Sequence, residues 1–404
     1  MNHTQSLPEP STDALTHSEK LVAVIRQEIL DSDSNSISFK RYMEMALYQP
    51  NLGYYVAGTH KIGQQGDFVT APEISSLFSQ CVANQCADAM QKVALTLGTN
   101  ENNCILELGA GSGRMACDIL LELEIQNQLP ECYYILDLSP DLIQRQQQTL
   151  QQHVPHLLER VEWVSSVPEN FIGTILGNEV LDAMPVDVFT QHGEDVYEHH
   201  VIWQDDKLVE QLKPANKKLK QHVSDLNIRT DTPYTSEINP NINAWLKTLN
   251  DSLVKGMILL IDYGYTRSEY YLADRNKGTL ICHYQHLVNE APLKYPGLQD
   301  ITANVDFTAV AEGADAAGLK VSGFTSQVHF LANTGLESYF MQALEKKPAD
   351  ANTKDSEQRY KLAQQVRTLS LPSEMGERFK CIALTKKMDG DLIGFKAFDQ
   401  RFRL

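Results

Sequence analysis

Glu107-Leu108-Gly109-Ala110-Gly111-Ser112-Gly113 stands between two segments of opposite character. Ahead of it, Cys104-Ile105-Leu106 is a short apolar run of the kind that forms a buried strand. Behind it, Arg114-Met115-Ala116-Cys117-Asp118-Ile119-Leu120-Leu121 repeats apolar positions at helical spacing. The local unit is strand, glycine loop, helix.

Glycines at alternate positions let the backbone turn tightly and come close to a ligand, at a helix N-terminus whose first N–H groups lack intrahelical partners. A dinucleotide fingerprint, Gly-x-Gly-x-x-Gly, would place its third glycine where this chain has Arg114. The spacing fits S-adenosylmethionine better than NAD. A glycine turn without a ligand, or with another nucleotide, is the competing reading. The next predicted strand, residues 133–136, ends in Asp137, where a doubly wound α/β domain puts the acidic residue that binds ribose hydroxyls. Glu107 and Asp137 are then strand-end carboxylates flanking a cofactor that approaches Gly109, Gly111 and Gly113.

Predicted strands at 103–106, 133–136, 161–164, 171–176 and 257–262 alternate with helices such as 141–152, the pattern of a mainly parallel sheet. The fourth runs into Gly177-Asn178-Glu179-Val180-Leu181-Asp182. That places Asn178, Glu179 and Asp182 beyond the carboxyl edge, where open α/β sheets bind ligands. A last strand at 379–385 can return beside the fifth. The chain divides into a disordered tail (1–15), an N-terminal helical region (16–100), an α/β domain (101–386) with insertions at about 186–255 and 266–305, and a C-terminal tail (387–404). The second insertion holds His283 and His286, but no histidine pair shows ligand spacing on a helix, so no metal site is expected.

Composition narrows the partners. With 52 acidic and 35 basic residues and a formal charge of −17, the surface repels phosphate backbones, which argues against nucleic acid and for a basic protein or a cationic side chain. The same charge also simply favours solubility. Seven cysteines without a Cys-x-x-Cys pair read as reduced thiols. The first twenty residues are polar and include Glu9, Asp13 and Glu19, unlike a signal or transit peptide, and no apolar run reaches membrane-spanning length. The expectation is a cytoplasmic protein without membrane insertion; whether it forms oligomers is left open.

Upstream, Tyr48-Gln49-Pro50-Asn51-Leu52-Gly53-Tyr54-Tyr55 reads as a turn packed by tyrosines. In Gly66-Asp67-Phe68-Val69-Thr70-Ala71-Pro72-Glu73-Ile74-Ser75, Pro72 opens a helix and Glu73 lies in its first turn. Asp67, Thr70 and Glu73 serve equally as capping groups or as groups of a site.

Taken together, Leu47-Tyr48-x-Pro50-x-x-Gly53-Tyr54-Tyr55, Gly66-Asp67-Phe68-x-Thr70-x-Pro72-Glu73-Ile74-Ser75, the glycine loop, Asn178-Glu179, Ile261-Asp262-Tyr263-Gly264, Pro296-Gly297-x-x-Asp300-Ile301-Thr302 and Met375-Gly376-Glu377-x-Phe379-Lys380 resemble the MidA-like family of S-adenosylmethionine-dependent methyltransferases. The resemblance spans about residues 38–386. It implies a class I methyltransferase fold: a Rossmann-like α/β domain with a mainly parallel seven-stranded sheet, an N-terminal helical extension and two insertions. It also implies arginine methylation of a protein, since the family's mitochondrial members are assembly factors of respiratory complex I that methylate an arginine of a core subunit. Without an organellar transit peptide, the chain is similar to the bacterial members. Asp137 stands where many relatives have Glu, and Ala71 where Ser is common; neither change threatens cofactor binding.

Methyl transfer from a sulfonium needs a positioned nucleophile more than an activated one. A guanidinium stays protonated in water, so carboxylates must bind it, polarise one nitrogen and take its proton. Glu179 and Asp182 are placed for that clamp, with Glu73 and Asp67 as second candidates. Asn178, Thr70 and Pro72 join Glu107, the glycines and Asp137 on the cofactor side, and Tyr263 and His286 are candidates for the acceptor pocket. Other readings are a small-molecule methyltransferase, or a cofactor-binding assembly partner with little catalysis.

Overall fold

In the computed structural model, which describes residues 7–57, 70–98, 103–230, 232–345 and 353–404, the apolar run before the glycine loop is strand β1, Cys104–Leu108. It is followed by β2 (Tyr133–Leu136), β3 (Val161–Val164), β4 (Phe171–Asn178), β5 (Leu253–Tyr265), β6 (Lys320–Ser326) and β7 (Phe379–Lys386). Their hydrogen-bonded order is β6-β7-β5-β4-β1-β2-β3. The pairs among β1 to β5 are parallel, and β7 runs antiparallel to both β5 and β6. An eighth, two-residue strand, Val305–Asp306, pairs with the end of β5. The expected seven-stranded, mainly parallel sheet is therefore a mixed sheet of eight strands. The extra pairing exists because Gly264 has no Cβ: one placed there would lie 2.2 Å from the Val305 carbonyl oxygen.

Successive residues of a strand face opposite sides of the sheet, and both sides are covered. Met257, Leu259 and Ile261 pack with Phe78, Cys81 and Val82, while the alternating Ile258 and Leu260 are equally buried. Phe78, Cys81 and Val82 belong to helix α2 (Ser76–Leu97), which follows the single turn α1 (Ala71–Ile74). The expected continuous helix from Pro72 is divided at Ser75, whose backbone is extended and whose Oγ accepts from Leu77 N at 3.4 Å. Helix α3 (Arg114–Ile125) leaves the glycine loop, and α4 (Pro140–His153) follows β2.

The described residues fall into two compact units. One holds the sheet: Val69–Leu181, Ile242–Arg267 and Val305–Leu404. Two sequence expectations are corrected within it. Helix Ile242–Ser252 belongs with the sheet and not with the first insertion. The stretch 387–404 is not a tail, because Leu392 and Phe395 are buried in the core and Gly394 N donates to Gln85 Oε1 at 2.9 Å.

The other unit gathers Asp182–Asn241, Ser268–Asn304 and the described part of residues 1–68. It contains a five-stranded sheet that includes Ile37–Ser38, Asp187–His192 and Asp195–Gln204, and a three-stranded sheet of Leu287–Asn289, Ile281–Tyr284 and Asp300–Thr302. Leu21, Ile25, Tyr42, Tyr54, Val201 and Ile301 share one core. The region 16–100 is thus not one N-terminal body: its first part packs in this unit and Ala71–Leu97 in the other. The expected tail of 1–15 also ends early. Ser11 Oγ caps Ala14 N at 3.3 Å, so a helix starts at Thr12.

Candidate active site

The carboxyl edge of the sheet is built from the glycine loop outward. Gly109, Gly111 and Gly113 all adopt left-handed backbone, with φ of 65°, 54° and 83°, which is where glycine carries no steric penalty. Gly109 N donates to the Leu136 carbonyl oxygen at 2.9 Å and ties the loop to the end of β2. Ser112 Oγ donates to Glu73 Oε1, so Glu73 is held against the glycine loop from α1. Thr70 is the N-cap residue of that turn, though its side chain makes no capping bond, and Pro72 lies buried in its first turn.

Glu107 is 1 % exposed and accepts a hydrogen bond from Tyr133 Oη at 2.6 Å. Burial pushes its carboxyl up to about 7, against the opposing pull of the Tyr133 hydroxyl and with a smaller push from Asp137. Asp137 follows β2, as expected. Its Oδ1 accepts from Ser139 N at 3.0 Å and its Oδ2 from Gln146 Nε2 at 2.8 Å. Burial raises its carboxyl above the usual range, and these donors oppose that.

Across the loop, β4 ends at Asn178, whose Nδ2 donates to Glu179 Oε1 at 3.0 Å. Asn178 Oδ1 is buried and has no hydrogen-bond partner among the described residues. Glu179 has φ of 55°, an unusual conformation for a residue with a side chain. Three backbone donors enforce it. Glu179 N reaches the Ile261 carbonyl oxygen at 2.9 Å, while Val180 N and Leu181 N converge on Asp262 Oδ2 at 3.2 Å and 2.9 Å. Asp262 is fully buried, and its Oδ1 accepts from Tyr263 N at 2.8 Å. Tyr263 packs edge-on against Phe379 at 5.6 Å.

The sheet unit therefore brings together Glu73, Glu107, the three glycines, Asp137, Asn178, Glu179 and Tyr263. Asp182 and His286 belong to the other unit. There Asp182 is buried, with its carbonyl accepting from Ala303 N at 3.0 Å, and His286 is exposed in a hairpin turn with φ of 63°. Asp67 lies outside the described residues. Among the described residues no group of three His, Cys, Asp or Glu side chains is placed to hold a metal, and no helix is long and apolar enough to cross a membrane.

Residues 81–325 match the family described as "Putative S-adenosyl-L-methionine-dependent methyltransferase". The chain belongs to this methyltransferase family. Its fold superposes with a TM-score of 0.91 on a COG1565 superfamily member from Burkholderia thailandensis bound to S-adenosyl-homocysteine, at 37% identity, covering 99% of this chain and 100% of that one. Among curated relatives, it is 27% identical to the protein arginine methyltransferase NDUFAF7 homolog, mitochondrial, of Caenorhabditis elegans, over 88% of this chain and 84% of that one. It is 26% identical to human protein arginine methyltransferase NDUFAF7, mitochondrial, over 86% and 80%.

The cofactor of the methyltransferase family is S-adenosylmethionine, and the edge described above suits it. The left-handed glycines place no Cβ at positions 109, 111 and 113, Asp137 is an acceptor-only group suited to two hydroxyl donors, and Asn178 Oδ1 is a buried acceptor still to be used. Sequence reasoning missed two residues of this methyltransferase edge. Asp262 was visible only as part of a motif, and Gln146 lay in a helix with no motif at all.

Proposed function

We propose that the chain transfers the methyl group of S-adenosylmethionine to an arginine side chain of a protein. The cofactor supplies an electrophilic methyl group already bonded to its leaving group. Gly109, Gly111, Gly113, Asp137 and Asn178 hold that cofactor, with Glu107, in the strand that leads into the loop, bonded to Tyr133. Thr70, Pro72 and Glu73 close the loop's outer side, with Glu73 bonded to Ser112.

The single observation that carries the reading is Glu179. A carboxylate-bearing residue stands at the carboxyl end of β4 in a left-handed conformation that Ile261 and Asp262 enforce. Such strain persists where the surrounding structure over-determines it, and it concentrates at functional sites. A guanidinium presents N–H donors in a fixed fork, and a fixed carboxylate binds it in one orientation, steers one nitrogen toward the methyl group and accepts its proton. The names of the curated relatives and the net charge of −17 support a cationic protein acceptor. The MidA-like resemblance makes a respiratory subunit the first candidate.

Glu179→Gln tests the assignment, because it keeps the shape and the Asn178 contact and removes the charge. Cofactor affinity by calorimetry is expected to stay within about twofold, while transfer to protein falls by about 10²-fold or more. Unchanged turnover takes Glu179 out of the reaction.

A further inference from the structure

Gln146 makes three side-chain hydrogen bonds at the carboxyl edge, yet nothing in the reaction requires an amide there. It is fully buried in α4. Its Nε2 donates to the Gly111 carbonyl oxygen at 3.1 Å and to Asp137 Oδ2 at 2.8 Å, and its Oε1 accepts from Trp163 Nε1 at 3.0 Å. An indole N–H can only donate, so the Gln146 oxygen must face Trp163 and both amide protons must face the loop and the carboxylate. The backbone of Gln146 also abuts the loop: a Cβ on Gly113 would lie 3.0 Å from Gln146 Cα.

We propose that Gln146 is a positioning residue for the cofactor, fixing the glycine loop and the ribose-binding carboxylate relative to one another, with Trp163 fixing the amide. The proposal rests on the reading of Asp137 as the group that holds the ribose. Asp137 Oδ1 accepts from Ser139 N and Oδ2 from Gln146, with the Leu138 backbone also donating to the carboxylate, and its about four lone-pair sites leave acceptor capacity for a ribose hydroxyl. A buried amide is costly unless bonded, and a leucine would fill a similar volume without that cost. What the amide adds is direction: it sets the plane of the carboxylate before the ligand arrives, so less ordering is left for binding.

The test is calorimetry with S-adenosylhomocysteine and its 2′-deoxy analogue on the native chain and on Gln146→Leu, Trp163→Phe and Asp137→Asn. The native chain is expected to prefer the ribose form. Gln146→Leu should weaken S-adenosylhomocysteine about tenfold and bring the preference for ribose to within about twofold of parity. Trp163→Phe leaves the amide in place but free to turn over, so it should narrow the same preference less, with about a threefold loss. This milder variant keeps the proposal testable if Gln146→Leu does not fold. A purely structural role would weaken both ligands alike and leave the preference at its native value in both variants, which overturns the proposal. If Asp137→Asn removes the preference and the other two do not, the ribose reading stands and Gln146 has no part in it. If Asp137→Asn leaves the preference intact, the ribose reading falls and the proposal with it.

Discussion

Glu107 shows how one buried carboxyl couples the fold to pH. Its ordinary value of 4.5 is raised to about 7 in the folded chain, chiefly by burial. The folded state then binds a proton more tightly than the unfolded state. The sign follows: the stability this group contributes is highest below about pH 4.5, falls as pH rises through that window, and levels off above about pH 7. The full difference amounts to about 3 kcal/mol as an upper figure. Glu107→Gln keeps an acceptor for the Tyr133 hydroxyl and removes the titration. In urea unfolding of the cofactor-free protein, the variant is expected to gain on the native chain at pH 8 relative to pH 5. Parallel pH profiles for the two proteins would contradict this account. Glu107 itself was legible from its place at the end of an apolar run; its near-neutral state was not, because that depends on how completely the folded chain buries the carboxyl, against the pull of Tyr133 twenty-six residues away.

At the scale of elements, the centre of the sheet depends on one glycine pair. Gly173 of β4 lies opposite Gly256 of β5 and Cys104 of β1, with φ of 134° at Gly173 and 142° at Gly256. A Cβ on Gly173 would lie 1.9 Å from the Cys104 carbonyl oxygen, and one on Gly256 would lie 1.8 Å from the Gly173 carbonyl oxygen. Neither obstacle is a flexible side chain, so the backbone itself must move. Gly173→Ala is expected to cost more than about 3 kcal/mol of unfolding free energy, read from urea denaturation, whereas Gly193→Ala, in an open turn, is expected to cost far less. The strands were legible to within a few residues because apolar runs and strand-end acids mark them. The extra strand at Val305–Asp306 was not, since two residues carry no periodicity and the pairing depends on the absence of a side chain at Gly264. The division at Ser75 was hidden for a similar reason: a serine between two helical runs reads as well inside a helix as at its cap. Asn178 and Glu179 were found because the strand ended beside them. Gln146 escaped because its role arises only when α4, β2, β3 and the glycine loop are brought together.

Over the whole molecule, the sequence motifs sort into two bodies that their order along the chain does not reveal. The tyrosine turn around Tyr48 and the Pro296-Gly297 segment lie in one unit, and the glycine loop, Asn178-Glu179 and Asp262 in the other. Insertions are visible in sequence as interruptions of a parallel-sheet pattern. Their gathering into one unit with the N-terminal helix is not, because it depends on a core in which Leu21 and Tyr42 meet Val201 and Ile301. The acidic balance of −17 is likewise a property of the whole chain and favours encounter with a basic protein. The central claim, transfer of a methyl group to protein arginine, is tested most directly by incubating the purified protein with S-adenosylmethionine labelled in the methyl group and a cell extract. The protein fraction is then hydrolysed and the labelled amino acid identified. Label in methylated arginine, lost with Glu179→Gln, is the predicted result. Label in another amino acid or in a small molecule, or no transfer by a protein that binds the cofactor, would contradict it.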